Sequence, residues 1–303
     1  MEPKEAYNKV LEEMKKHIAG KTDVFELMFI AIVANGHVLL EGVPGVAKTT
    51  MTKTLADAID AGFDRIQGTP DLDQRDIIGF TYLDEQNNIQ IKKGPIFTNI
   101  LLVDELNRAP PKTTTALLES LEERQVTLGN STVPLMKPFI AFATQNPLNI
   151  EGTNPLPKVL TDRFLLRIAV TYPTMEEEQG MLRIKEREEK IVTKKVINKD
   201  DMLKFQSMVN SIQMSDEVAE YITRVVDATR KDIHMVMGAS PRADISFMRC
   251  GKAKALIEGR KEVSIDDIKF LAKPVLSHRI VVKATGGLGV NGIIDGIIAT
   301  TKY

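Results

Sequence analysis

The segment Gly36–Thr50, GHVLLEGVPGVAKTT, restricts what this 303-residue chain can fold into more than any other. Three apolar residues, Val38, Leu39 and Leu40, run into a glycine-bearing turn, then Lys48, then Thr49 and Thr50. The order reads strand, loop, helix N-terminus. Glycines in such a loop let backbone N–H groups close on an anion with no Cβ in the way. The helix that follows offers unpaired N–H groups and the positive end of its dipole to the same anion. Gly42, Val43, Pro44, Gly45, Val46, Ala47, Lys48, Thr49 and Thr50 therefore form a candidate triphosphate cradle. Lys48 is placed to reach the β- and γ-phosphates, and the Thr49 hydroxyl to hold Mg²⁺. One position departs from the GxxxxGK[ST] template. Gly42 fills its first glycine, Ala47 stands at its second, and Gly45 adds a glycine inside the loop. The alternative reading is a glycine-rich connection with Lys48 solvated.

A second segment supplies what the first lacks. Asn99 is followed by Ile100-Leu101-Leu102-Val103 and then Asp104-Glu105. An apolar strand ending in Asp-Glu is the hydrolysis half of a P-loop ATPase. Asp104 would hold the Mg²⁺ complex, and Glu105 would orient and activate the attacking water beside the γ-phosphate. A further strand ends in Ala143-Thr144-Gln145-Asn146-Pro147. Its amide can reach the attacking water or the γ-phosphate; the other reading is an Asn-Pro turn initiator.

The surrounding pattern fits. Apolar stretches at His37–Glu41, Phe63–Gln67, Ile100–Asp104, Phe139–Thr144 and Phe164–Val170 alternate with helices such as Thr49–Ala61 and Lys112–Glu123. The alternation predicts a parallel sheet between helical layers, with ligand at the carboxyl ends of the strands. Two segments interrupt it as hairpins: Phe80–Phe97, around Asn87-Asn88, and Gln125–Pro134, around Gly129-Asn130. Beyond Pro173 helices prevail. Thr174, Ser240 with Pro241, and Ser264 read as their starts. The division falls near there: residues 1–172 as an αβα nucleotide-binding core and 173–303 as a small all-helical lid.

Bulk properties narrow the classes. The chain is 43% hydrophobic and 27% charged, an ordinary globular composition. A formal charge of −1 gives no broad electrostatic footprint for nucleic acid. The single cysteine, Cys250, excludes an intrachain disulfide and fits a reducing compartment, so a cytoplasmic location is expected. It reads as a small buried apolar residue rather than a catalytic thiol. The charged, helical start resembles no signal peptide. Val24–Ala34 contains Glu26 and is too short to span a bilayer, so it reads as a buried helix and no membrane insertion is expected.

Taken in order, GVPGVAKTT, LLVDELNRAPPKTTTALLESLEERQVT, AFATQNP, LPKVLTDRF and GASPRA resemble the MoxR family of AAA+ ATPases. His278–Ile280 is similar to a segment of that family's lid, and the family commonly carries Ala before the P-loop lysine. The resemblance implies an αβα core of five parallel strands followed by a helical lid, with ATP between them. It implies a sensor 1 role for Asn146 and a sensor 2 role for Arg242, contacting nucleotide from the lid. It makes Arg163 the candidate arginine finger, reaching a neighbouring subunit's γ-phosphate, a contact worth about 10³–10⁵ in rate in well-studied cases. The bland alternatives are a salt bridge between Arg163 and Asp162, and Arg242 as a helix cap. The hairpins correspond to the helix-2 and pre-sensor-1 inserts. A finger in trans requires head-to-tail contacts, which close into a ring when the rotation allows. Similar proteins form hexamers, so a homo-oligomeric ring is expected here. The resemblance further implies chaperone-like maturation or activation of a protein complex, with a von Willebrand A-type domain client. Three rivals remain: a nucleic-acid motor, which Lys92 and Lys93 support slightly although no aromatic–basic interleaving runs along that segment; a chelatase motor subunit; and a nucleotide-gated switch with negligible turnover.

Overall fold

The structure is a computed structural model describing residues 1–146, 154–187, 191–283 and 289–302. Helices α1 (Pro3–His17) and α2 (Thr22–Val33) precede strand β1 (Val38–Glu41), helix α3 (Lys48–Ala58) and strand β2 (Phe63–Gln67). Helix α4 (Gln74–Ile78) enters a hairpin of β3 (Gly79–Leu83) and β4 (Ile89–Lys93), which leads to β5 (Ile100–Asp104). Helix α5 (Pro111–Glu123), a second hairpin of β6 (Gln125–Leu128) and β7 (Ser131–Pro134), strand β8 (Ile140–Gln145), helix α6 (Lys158–Thr161) and strand β9 (Leu166–Ala169) follow. Helices α7 (Met175–Arg187), α8 (Lys199–Met208) and α9 (Asp216–Lys231), strand β10 (Met235–Met237), helices α10 (Arg242–Ile257) and α11 (Ile265–Leu276), strand β11 (Val281–Val282) and helix α12 (Val290–Thr300) complete the chain.

Strands β2-β5-β8-β1-β9 form one sheet in that order, and every pairing in it is parallel. Its residues alternate between two apolar clusters. Val38, Leu40, Ile100, Leu102, Ile140, Phe142, Leu166 and Ile168 face one way, toward α2, α3 and the C-terminal helices. Leu39, Leu101, Val103, Ala141 and Ala143 face the other, toward α4, α5 and the hairpins. Covering both faces is what makes such strands read as unbroken apolar runs. All five expected strands form, ending within two residues of the expected positions. Both expected hairpins form as well, with Leu83 paired to Ile89 and Leu128 to Ser131.

Helix starts follow from capping. Thr174 Oγ1 accepts from the Glu177 N–H at 3.2 Å, and the Glu177 carboxylate returns the bond to the Thr174 N–H at 2.9 Å. Ser264 and Asp267 form the same reciprocal box at α11. Ser240 Oγ accepts from the Arg242 N–H at 3.3 Å, so α10 begins one residue later than read. Helix α3 stops at Ala58, three residues short of the expected Ala61, because Asp60 adopts φ +45° and turns the chain. The C-terminal region is not all-helical: β10 and β11 pair antiparallel across more than forty residues of sequence. At two and three residues each they are too short to show a strand period.

Two buried side chains, Arg279 and His278, dock the C-terminal helices on the core. The Arg279 side chain, 2% exposed, donates to Asp162 Oδ1 at 3.1 Å, to the Phe164 carbonyl at 2.7 Å and to Ser246 Oγ at 2.9 Å. The buried His278 ring adds a bond from Nε2 to the Phe164 carbonyl at 2.9 Å. Cys250 is fully buried in α10, and burial pushes its thiol up to about 12, so it stays protonated. No described helix is long and apolar enough to cross a membrane.

Candidate nucleotide site

Parallel pairing brings the carboxyl ends of β1, β5 and β8 to one edge, with Glu41 beside Gln145 and Gln67 beside Asp104. A cavity of about 450 Å³ opens there, lined by Pro44–Thr50, Arg65, Gln67, Asp104, Glu105, Thr144 and Asn146. The loop geometry explains its composition. Gly45 adopts φ +83°, and a Cβ on Gly42 would lie 2.3 Å from the Val170 carbonyl oxygen. Ala47 adopts φ +62° immediately before α3, the left-handed region that the template reserves for glycine. Lys48 Nζ donates to the Gly42 carbonyl and, at 3.0 Å, to the Val43 carbonyl. Burial presses the Lys48 ammonium below its usual pKa, and the carboxylates of Asp104, Glu105 and Glu41 oppose that shift.

Asp104 is the hub of the polar contacts. Oδ1 accepts from Thr144 Oγ1 at 2.6 Å. Oδ2 accepts from Arg65 Nη2 at 2.7 Å and from Thr49 Oγ1 at 3.1 Å. Burial would raise this carboxyl, but the bonds from Thr144, Arg65 and Thr49 outweigh it and hold Asp104 below its ordinary value. Glu105 sits at φ +52°, strained for a side-chain-bearing residue, with its N–H donated to Thr144 Oγ1 at 2.8 Å. Its Oε2 accepts from Arg108 Nη1 at 2.8 Å and Gln67 Nε2 at 3.2 Å. Asn146 lines the same cavity; Pro147, and with it the proposed Asn-Pro turn, lies outside the described residues.

Asp104 and Thr49 offer an adjacent carboxylate and hydroxyl. That small, hard oxygen set suits Mg²⁺, which keeps water and substrate phosphate as further ligands. Among the described residues no group of three or more His, Cys, Asp or Glu side chains converges, so phosphate and water would supply most of the coordination.

Arg163 and Arg242 are elsewhere. They line a second cavity of about 320 Å³ with Gly36, His37, Glu122 and Leu165. Gly36 and His37 lead into β1 and Leu165 into β9, so this cavity lies at the amino edge of the sheet. The four residues of β1 alone separate the edges by about 13 Å. Within one chain Arg242 therefore lines a different cavity from Lys48, Thr49, Asp104 and Glu105. The reason is packing. The apolar face of α10, with Ala243, Phe247 and Cys250 buried, joins the same cluster as α2, which carries the N-terminus of α10 to the amino edge. Nor does Arg163 pair with its neighbour Asp162. Arg163 Nε donates to Glu122 Oε2 at 2.8 Å, and Arg242 Nη2 to Glu122 Oε1 at 2.6 Å. Asp162 is held instead by Arg279, by Ser240 at 3.0 Å and, at 3.7 Å, by Arg242.

Four residues in or beside the first cavity escape sequence inspection: three line it, and Arg108 bonds Glu105 at its edge. Arg65 and Gln67 are polar residues two apart on an edge strand, Arg108 lies one turn beyond Glu105, and Thr144 is a buried hydroxyl ending an apolar strand. Only Thr144 leaves a signal in the sequence, a polar residue near the carboxyl end of a buried strand. At the first hairpin, too, pairing creates what linear order hides. Lys92 lies opposite Phe80, its Nζ 5.5 Å from the ring centroid, beside the half-exposed Tyr82.

Comparison with known proteins agrees with this geometry. Residues 37–166 match the ATPase family associated with various cellular activities (AAA), and residues 227–288 match its AAA lid domain. The chain is 40% identical to the uncharacterized protein YeaC of Bacillus subtilis, over 97% of this chain and 93% of that one. It is 39% identical to chaperone MoxR1 of Mycobacterium tuberculosis, over 89% of this chain and 74% of the relative. Protein MoxR of Methylorubrum extorquens is 28% identical over 88% of this chain and 85% of its own. A crystal structure of a protein from Cytophaga hutchinsonii superposes with a TM-score of 0.90 at 38% identity, covering 98% of this chain and 96% of that one. An αβα P-loop core with a following lid, found in a chain this close to MoxR proteins over most of its length, makes it an ATP-hydrolysing member of the MoxR family of AAA+ ATPases.

Proposed function

We propose that this chain couples ATP hydrolysis to chaperone-like remodelling of a client protein, in a homo-oligomeric ring whose active sites are shared between subunits. The observation that carries this reading is the separation of the machinery. Lys48, Thr49, Asp104, Glu105 and Asn146 share one edge of the sheet, while Arg163 and Arg242 share the other. Loop amides from Gly42 to Thr50 and the Lys48 ammonium hold the phosphates, and Thr49 with Asp104 holds Mg²⁺. The ion, when bound, neutralises charge that develops on the phosphoryl oxygens. Glu105 accepts a proton from the attacking water, and Asn146 orients that water. Arg163 and Arg242 of an adjacent copy meet the γ-phosphate, spreading its transition-state charge over guanidinium N–H groups. Head-to-tail contact of one edge with the other is heterologous and closes into a ring; six copies are the expected number. Residues 1–172 act as the nucleotide-binding core and 173–303 as the lid, in a cytoplasmic protein. The client is a von Willebrand A-type domain protein, the hairpins passing motion to it.

The experiment is capture with the Glu105→Gln chain, which binds ATP without turning it over. An ATP-dependent complex with a von Willebrand A-type protein supports the reading; an ATP-independent prey profile contradicts it. Steady-state hydrolysis by wild type no faster than by Glu105→Gln would favour the nucleotide-gated switch. The Phe80–Lys92 pair favours a second reading, a nucleic-acid motor, since aromatic rings and cations together bind single strands. Salt-dependent DNA binding with stimulated ATPase would establish it.

A further inference from the structure

Glu122 is out of place by the usual rules. It lies in the last turn of α5, where the helix dipole disfavours a carboxylate and where no basic residue of that turn offsets it. Two cations from distant segments answer it. Arg163 follows α6, and Arg242 opens α10. Arg163 Nε and Nη2 both point at Oε2, at 2.8 and 2.5 Å, and Arg242 Nη2 takes Oε1 at 2.6 Å. Both carboxylate oxygens are thus engaged, in a cavity open to solvent. The cavity is rich in cations: Arg124, Arg163, Arg242, Arg249 and Arg279 line it, against Glu122 and Asp162. Arg279 is committed to Asp162 and the core. Arg124 and Arg249 are committed to carbonyls, both reaching Asn35 O at the end of α2. Only Arg163 and Arg242 among these five are held chiefly by Glu122.

Helix α5 also ties the two edges together. It starts at Pro111, one short turn beyond Glu105, and ends beside Arg163. Its 13 residues span about 20 Å.

We propose that Glu122 is a positioning residue: an internal anion that holds Arg163 and Arg242 as a pair until the γ-phosphate of a neighbouring subunit's ATP replaces it. The inference rests on the reading that these arginines act in trans. Subunit joining is then an exchange of one anion for another. A carboxylate gives the guanidiniums one charge and two oxygens. A γ-phosphate gives about twice the charge and three oxygens, so it displaces the carboxylate; ADP has no phosphate at that position, and the arginines stay with Glu122. Glu122 thereby sets how strongly assembly depends on ATP rather than ADP.

The test is the full chain with Glu122→Gln, keeping size and removing charge, beside Glu123→Gln as a control of equal charge one residue on. Mass photometry gives the protein concentration at half assembly, with Mg-ATPγS or with Mg-ADP. Glu122→Gln is expected to lower that concentration about fivefold in ATPγS, where assembly no longer has to break two partly exposed ion pairs, and less in ADP, where those pairs stay intact in wild type. The preference for ATPγS over ADP should accordingly be larger in Glu122→Gln than in wild type and in Glu123→Gln. Glu122 is partly exposed, so folding is not at stake; equal far-UV spectra confirm it. Midpoints equal to wild type, or shifted upward, overturn the proposal. A mixture of Arg163→Ala and Glu105→Gln subunits tests the underlying trans reading separately. Recovered hydrolysis there with no midpoint shift in Glu122→Gln refutes Glu122's role alone; no recovery refutes both.

Discussion

At the scale of single residues, the site holds two side-chain-bearing residues in left-handed backbone, Ala47 at φ +62° and Glu105 at φ +52°. Such conformations cost roughly 1–3 kcal/mol each and persist where surrounding contacts over-determine them. For Ala47 the strain is separable from function, since glycine takes the same φ freely. Ala47→Gly relieves about 1–2 kcal/mol of it and loses about 0.4–1 kcal/mol to the looser unfolded chain. We predict a small net gain, within about 1 kcal/mol, read as a rise in urea midpoint; a clear fall would show that the Ala47 methyl group packs usefully. Glu105 is over-determined by Thr144, whose hydroxyl donates to Asp104 and accepts from the Glu105 N–H. Thr144→Val leaves both groups unmet in a buried position. It should cost about 1–3 kcal/mol of stability and remove most of the hydrolysis while nucleotide binding survives. Unchanged turnover would relieve Thr144 of any part in aligning Asp104 and Glu105.

At the scale of elements, what the sequence made legible was what burial repeats. Strands β1, β5 and β8 are covered on both faces, so their apolar runs announce them, and the parallel register then fixes which polar residue ends each one. Capping residues announced helices for the same reason: Thr174 and Ser264 act within one turn. What acts between distant segments left no linear trace. Glu122 meets Arg163 across 41 positions and Arg242 across 120. The β10–β11 pair and the Phe80–Lys92 contact likewise exist only once strands are set side by side. The docking of lid on core belongs to this scale. Arg279 links α11's end to Asp162 and to the Phe164 carbonyl, and Asp162 in turn steadies Ser240 at the start of α10. Arg279→Met removes the buried cation that the part-exposed Asp162 carboxylate, Ser246 and the Phe164 carbonyl share, a change worth about 1–3 kcal/mol. It should lower the melting temperature and open the 238–243 turn to limited proteolysis; an unaltered digestion pattern would place the lid's anchorage elsewhere.

At the scale of the whole molecule, two buried histidines make stability depend on pH. His37 Nε2 bonds the Leu121 carbonyl while Nδ1 accepts from the Ala141 N–H, both at 2.9 Å. Burial, with Arg124 nearby, lowers His37 from 6.5 to about 3. Burial beside Arg279 holds His278 well below 6.5 too. The unfolded chain takes up protons below pH 6.5 that the folded imidazoles refuse. Their contribution is therefore complete above pH 6.5 and is lost as pH falls toward the folded values, by about 1.4 kcal/mol per unit for each ring. Urea midpoints should fall steadily from pH 7 to pH 5; a flat profile would mean that the rings accept protons in the fold.

The central claim at this scale is that no single copy carries a complete active site. Subunits with Arg163→Ala keep their own Lys48, Thr49, Asp104 and Glu105; subunits with Glu105→Gln keep their arginines. Each alone should bind nucleotide and hydrolyse little. Steady-state ATP hydrolysis measured on a titrated mixture of the two should rise to a maximum near equal proportions, because some interfaces then combine an intact Glu105 with an intact Arg163. Hydrolysis that never exceeds the sum of the two separate variants at any ratio, or an Arg163→Ala chain as active as wild type, would contradict it.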